Sequence, residues 1–159
     1  PGQVNMETNL DDVDRTLLKY LQKNARISNA ELARRVDLSP PGLQKRVRKL
    51  EEAGIIDQYA TILNPETVGF DMLCFVQITL VRHKAEFLQN FMQVLQEIPE
   101  VLEAYHITGE YDYLLKVVIR NRKHLEEFIL ETLSPLPGMD KIRTSLVLNN
   151  IKSTTAVPL

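Results

Sequence analysis

The sequence predicts an α+β fold in two parts, on three observations: a helix-turn-helix signature over Ile27–Leu50, a change from helical to strand periodicity after Asp71, and the element order βαββαβ that follows. The division expected from these signals is a three-helix unit at 6–54, a linker with one strand at 55–70, and a ferredoxin-like domain at 71–159.

Asp11 can cap a first helix whose buried stripe is Val13, Leu17, Leu18 and Leu21, ending near Asn24. Met6 reads as the native start, with Pro1–Asn5 outside the fold. Ser28 followed by Glu31 reads as a capping box, so a short second helix opens at Asn29 with Leu32, Ala33 and Val36 on its apolar face. Asp37-Leu38-Ser39 breaks the pattern, and Asp37 can adopt the left-handed conformation a tight turn needs. Ser39 caps a third helix. Pro40 suits its first position, where a missing N–H costs nothing, and Leu43, Val47 and Leu50 repeat at helical spacing. Gly54 fits the position just past the helix end. Ile55–Leu63 alternates as a strand does, and Asn64-Pro65-Glu66 begins a turn ending at Gly69. The connector lacks a Ser/Gly-rich tract, so it is expected to be ordered.

In the second half, strands are predicted near Met72–Arg82, Val101–Thr108, Tyr113–Arg120 and Lys141–Lys152, with helices near Ala85–Glu97 and Arg122–Leu133. That order folds as two interleaved right-handed crossovers in one antiparallel sheet, with both helices on one face. The helices are amphipathic through Leu88, Phe91, Met92, Leu95 and Ile98, and through Leu125, Phe128, Ile129 and Leu133. The first strand sets Met72, Cys74, Val76, Ile78 and Leu80 against Leu73, Phe75 and Val81; the third sets Tyr113, Leu115, Val117 and Ile119 against Leu114 and Val118. Both faces are apolar, yet the chain's own helices cover one. A second copy of the sheet is expected on the other, giving a two-fold homodimer.

The totals exclude several classes. The 159 residues are 44% hydrophobic and 25% charged, an ordinary globular composition. No apolar run approaches the roughly 18 residues of a spanning helix, so no membrane role and a cytoplasmic location are expected. Cys74 is the single cysteine, which rules out an intramolecular disulfide and reads as a buried thiol. His83, His106 and His124 share no metal-ligand spacing with it or with one another, and HExxH, CxxC, GxSxG and P-loop motifs are missing. No catalytic residue, metal or cofactor is expected, and the chain reads as a non-enzyme.

Charge is concentrated at the helix-turn-helix. Between Arg26 and Lys49 stand seven basic residues and two acidic ones, in a chain whose net charge is −2. Opposite Leu43 the third helix presents Pro41, Gln44, Lys45, Arg48 and Lys49, with Arg46 on a flank. This pattern suits phosphate neutralisation on double-stranded DNA. Ser39 and Pro40 would position the helix, Gln44, Lys45, Arg48 and Lys49 would meet base edges or phosphates, and Arg34 and Arg35 would clamp phosphates. A solvated basic face is the bland alternative. At the strand turn, Gly109-Glu110-Tyr111-Asp112-Tyr113 combines a permissive glycine, free amides, carboxylates and phenols. It suits a zwitterion, with Asp112 or carbonyls for the ammonium and N–H groups for the carboxylate; the other reading is a hairpin turn with packed tyrosines.

Taken together, DDVDRTLLKYLQKNARISNAELARRVDLSPPGLQKRVRKLEEAGIIDQYATILNPETVG, the ITGEYDYLLKV turn and the closing LPGMDKIRTSLVLNNIKSTTAVPL resemble the leucine-responsive/asparagine-synthesis regulator (Lrp/AsnC) family of transcription factors. The resemblance runs from Leu10 through nearly the whole chain. It implies a winged-type helix-turn-helix followed by an ACT-like (RAM) domain, dimers that assemble further to octamers, and a free amino acid or related metabolite as effector. Carried over by residue, the effector loop falls on Thr108, Gly109, Glu110, Tyr111 and Asp112, between adjacent dimers, with Ser145 on the pocket wall. Pro41, Gly42 and Lys45 depart from the residues common there in relatives. The function so implied is sequence-specific DNA binding controlled by an amino acid; the alternative is an amino-acid-sensing module that acts on a protein partner without specific DNA binding.

Overall fold

The computed structural model describes residues 10–81 and 85–159, without the side chains of 85–88. The expectations placed on Arg82, His83 and the Leu88 side chain lie outside the described residues. By packing, the chain divides into two units: the first is the chain up to Thr61 with Lys152–Leu159, the second is Ile62–Ile151.

Three helices build the first unit: α1 (Asp12–Lys23), α2 (Asn29–Arg35) and α3 (Pro40–Glu52). The reciprocal capping box stands at α1: Asp11 accepts the Asp14 N–H at 2.7 Å and donates its own N–H to Asp14 Oδ2 at 3.4 Å. At α2 only the forward half forms, Ser28 Oγ accepting from the Glu31 N–H at 3.2 Å, because the Glu31 carboxylate turns to Arg35 one helical turn on. Asp37 sits at φ 53°, the left-handed corner expected between α2 and α3. Ser39 Oγ caps α3 by accepting the Gly42 N–H at 3.3 Å, with Pro40 in the first turn. Leu17, Leu32, Leu43 and Leu50 meet in the core, each essentially without solvent exposure. Truncating any of them to Ala would cost about 2–5 kcal/mol.

No strand forms at Ile55–Leu63, a correction to the linker expectation. The Ile55 and Ile56 N–H groups donate to the Leu50 carbonyl at 2.9 and 3.2 Å, folding the chain back so that both side chains join the helical core. The rest has no ladder partner among the described residues, and a strand needs one. Tyr59 instead donates to Glu51 Oε1 at 2.9 Å, and burial together with that carboxylate pushes its phenol up to about 12. The segment Lys152–Leu159 packs here too: Gln22 donates to the Val157 carbonyl at 3.1 Å and accepts the Val157 N–H at 2.7 Å, and Leu159 lies against the helical core.

The second unit is one antiparallel sheet of β1 (Met72–Leu80), β2 (Val101–His106), β3 (Tyr113–Ile119) and β4 (Met139–Leu146), in spatial order β2-β3-β1-β4. That is the ferredoxin-like order expected of βαββαβ. Helices α4 (Ala85–Glu97) and α5 (Arg122–Glu127) lie on one face, where Phe91, Leu95, Phe128 and Leu133 bury Cys74, Val76, Ile78, Leu115 and Val117. Two details differ from the sequence pattern. Phe128–Leu133 winds as a π-helix, whose wider turn lets Phe128 and Leu133 both reach the core. β4 ends at Leu146 rather than near Lys152, because beyond Val147, which donates to the Leu73 carbonyl at 2.9 Å, no further pairing with β1 remains.

The helix-free face carries Leu73, Phe75 and Gln77 from β1 beside Leu114, Lys116 and Val118 from β3. It is less uniformly apolar than alternation suggested. Lys116 Nζ pairs with Glu103 Oε1 at 2.8 Å, and Tyr105 donates to Glu103 Oε2 at 2.6 Å.

Candidate functional site

The basic surface of the first unit comes from α3 and the end of α2. Pro41, Gln44, Lys45, Arg48 and Lys49 are exposed together on α3, as are Arg34 and Arg35 on α2, while Leu43 and Leu50 bury the opposite side. Their charges are not equivalent. Arg48 Nε is 2.7 Å from Glu52 Oε1, and Arg35 pairs with Glu31 while its guanidinium stacks 5.0 Å from the centroid of the Tyr20 ring. Both ion pairs are solvent-exposed and therefore weak, so either arginine can exchange its carboxylate for a phosphate. Lys45 and Lys49 hold no salt bridge among the described residues. A groove of about 670 Å³ runs along this surface, lined by Gly42, Lys45, Arg48 and Lys49 on one side and by Asp11 and Asp14 on the other.

Arg46 belongs to that groove in a way periodicity does not show. Its Nη1 lies 2.6 Å from Asp11 Oδ2 and 2.8 Å from Asp14 Oδ1, joining α3 to the start of α1. Asp14 is the buried charged residue of the described core. The Asp14 backbone N–H first, and the guanidinium second, hold the Asp11 carboxyl below its ordinary range.

In the second unit the hairpin between β2 and β3 presents Thr108–Asp112. Ile107 N–H donates to the Asp112 carbonyl at 2.9 Å, closing the turn, and Gly109 takes φ 126°, a conformation L side chains rarely adopt. Asp112 is tied to β1 twice: its N–H donates to the Ile78 carbonyl at 2.9 Å, and its Oδ2 accepts the Leu80 N–H at 2.8 Å. The β1–β4 register shifts between Thr79 and Leu80, at the same place. Thr108, Gly109 and Glu110 remain exposed, with Tyr111 half-buried.

Ser145 pairs with Phe75, three residues along β1 from Ile78 and so about 10 Å from the loop's anchor at the rise of a strand. Arg143 comes closer: its Nη1 donates to Tyr111 Oη at 3.2 Å. The loop therefore carries an exposed carboxylate at Glu110, and the Arg143 guanidinium of β4 stands against its Tyr111, groups of opposite charge of the kind that hold a zwitterion. Sequence reasoning missed Arg143. The available signal was its place two residues before Ser145 on the last strand. Tyr113, by contrast, is a core residue, with its ring 5.0 Å from both Phe91 and His106.

Among the described residues, no group of three or more His, Cys, Asp or Glu side chains could hold a metal, and no helix is long and apolar enough to cross a membrane. Burial pushes the Cys74 thiol up from its ordinary value, as for an inert core cysteine.

Comparison with known proteins matches both halves. Residues 10–57 fit the family model for a winged helix-turn-helix DNA-binding domain, and residues 73–157 fit that for an Lrp/AsnC ligand binding domain. The leucine-responsive regulatory protein of Escherichia coli K12 is 39% identical over 145 residues, 91% of this chain and 88% of that protein. Among solved structures, a transcriptional regulator of Neisseria meningitidis in complex with L-Met superposes with a TM-score of 0.90 at 38% identity, covering 94% of this chain and 96% of that one. The feast or famine regulatory protein of M. tuberculosis, complexed with L-methionine, superposes with a TM-score of 0.83 at 32% identity, over 93% of this chain and 98% of that one.

Proposed function

This chain belongs to the Lrp/AsnC family of transcriptional regulators, and from that premise we propose how its two units divide the work. It is a DNA-binding regulator that responds to an amino acid. α3 reads the major groove, with Gln44, Lys45, Arg48 and Lys49 at base edges and phosphates and Arg34 and Arg35 on the flanking backbone. Ser39, Pro40 and Pro41 set the start of that helix. The observation that carries this reading is the gathering of these side chains on one exposed face in a chain of net charge −2.

The effector is an amino acid or a related small metabolite held by Thr108, Gly109, Glu110, Tyr111 and Asp112, with Ser145 on the outer wall. Asp112 shapes the loop through β1, while Glu110 and Arg143 meet the ligand's opposite charges. L-Methionine is the first ligand to try, since two solved relatives are complexes with it. The half-exposed Phe75 and its neighbours Leu73 and Leu114 support a homodimer packed sheet to sheet, and we place the ligand where such dimers meet in an octamer. A ligand in that position regulates by binding one assembly more tightly than another.

Fluorescence anisotropy on a duplex from the gene's own upstream region, titrated with salt and with each common amino acid, tests the reading. Specific binding that weakens steeply with salt and changes with one amino acid is expected. Binding no tighter than to random duplex under every condition would refute it.

A further inference from the structure

Of the four basic residues on α3, Arg46 alone reaches beyond its own helix among the described ion pairs. Its two carboxylate partners lie 35 and 32 residues earlier, in the first turn of α1 and its cap. The arginine side chain is 30% exposed and that of Asp14 11%, so the pair is shielded from water far more than the Arg48–Glu52 pair, at 78% and 64%. A guanidinium bound to two carboxylates makes short, directional, charge-assisted bonds. Arg46 lies next to Lys45 and two residues from Gln44, so any roll of α3 about its axis that re-aimed these groups would break both bonds.

We propose that Arg46 is a positioning residue for DNA recognition: it locks the roll of α3 against α1, aiming Gln44 at base edges while the flexible stems of Lys45 and Lys49 reach phosphates through a small roll, and does not itself neutralise a phosphate. The clamp has a second effect. It covers two carboxylates that line the groove beside Lys45 and Lys49 and would otherwise face DNA phosphates. The proposal rests on the reading that this face of α3 meets DNA.

The test uses the full chain and a duplex that the wild-type protein selects from a random pool, compared with the unselected pool. Failure to select any duplex would overturn the DNA-recognition reading itself, and the proposal with it. With a selected duplex, Arg46→Met is expected to lower selectivity about tenfold or more, the scale of a mismatched base pair, while leaving the slope of log affinity against log salt unchanged. Lys49→Ala, the phosphate-contact control, is expected to reduce that slope by about 1. Asp14→Ala, which leaves Arg46 no acceptor at that position, approaches from the other side. It removes a negative charge next to the DNA face, so it should tighten binding if Arg46 is a phosphate contact and lower selectivity if the clamp aims the helix. A slope reduced by about 1 in Arg46→Met with selectivity intact would overturn the proposal, as would full selectivity in Asp14→Ala. If Arg46→Met melts below the assay temperature, Arg46→Lys decides, because its ammonium keeps the charge but ends one bond short of the Nη1 position that meets both carboxylates. Reduced selectivity at wild-type slope supports the clamp; wild-type selectivity overturns it.

Discussion

Asp112 and Leu80 are joined by a side-chain bond across 32 residues of sequence: the Asp112 Oδ2 accepts the Leu80 N–H at 2.8 Å where the β1–β4 register shifts. One carboxylate oxygen is therefore engaged by the protein before any ligand arrives. Asp112→Ala leaves a partly buried N–H unpaired, at a cost of about 1–3 kcal/mol, and frees the loop. That variant is expected to lose the amino-acid response while keeping its DNA affinity. Asp112→Asn, which retains an acceptor, should keep most of the response. Calorimetry with L-methionine, alongside anisotropy, separates the two; undiminished ligand binding in Asp112→Ala would remove the role assigned to this residue.

Lys45 and Lys49 have no competing salt bridge among the described residues, so each should act on DNA as a whole charge. Replacing either by Ala is expected to reduce the salt slope by about 1 with little change in selectivity. Gln44→Ala should do the reverse, because an amide reads a base edge and releases no counterion. A salt series on each variant checks both.

The Asp11 carboxyl titrates below its ordinary range, held there by the Asp14 N–H and then by Arg46. A depressed folded-state pKa means that its contribution is present above the unfolded pKa, about 4, and is lost as pH falls through the folded value. Thermal melts between pH 7 and pH 2 should show this loss in the wild type. Asp11→Asn should give a shallower acid limb, since the substituted amide does not titrate. An identical acid limb in both proteins would contradict the assignment.

Gln22 holds the Val157 backbone by two hydrogen bonds, 3.1 and 2.7 Å long, across 135 residues. Gln22→Ala is expected to destabilise the protein by only about 1 kcal/mol, the net worth of such exposed bonds. The larger effect should be local. Hydrogen exchange at the Val157 N–H should accelerate while exchange at Leu50 stays slow.

Phe75 is 36% exposed on the helix-free face, where a second copy would cover it. Phe75→Asp would place a carboxylate in that contact and should shift the protein to monomer in light scattering at micromolar concentrations. The fold should persist, because Phe75 lies outside the buried core cluster. Unchanged mass would place the dimer contact elsewhere.

Local chemistry made much of this molecule legible from sequence alone. Ser39 before Pro40, Asp37 at the left-handed corner, the leucines of the three helices and the alternation of β1 and β3 all act over a few residues, so spacing reports them directly. The basic face of α3 was legible for the same reason, and so was the order βαββαβ. Tertiary structure decided what depends on distant partners. Arg46 looked like one more cation on a helix flank until the fold set it against Asp11 and Asp14. Asp112 looked like a free carboxylate until β1 offered the Leu80 N–H. Ile55–Leu63 alternates as a strand but forms none among the described residues, since the ladder bonds that make a strand belong to a pair of segments and the pattern to one. Periodicity records which side of an element faces inward. Which residue meets which across 30 or more positions is set only once the elements pack, because the free energy of those contacts exists only in the packed state.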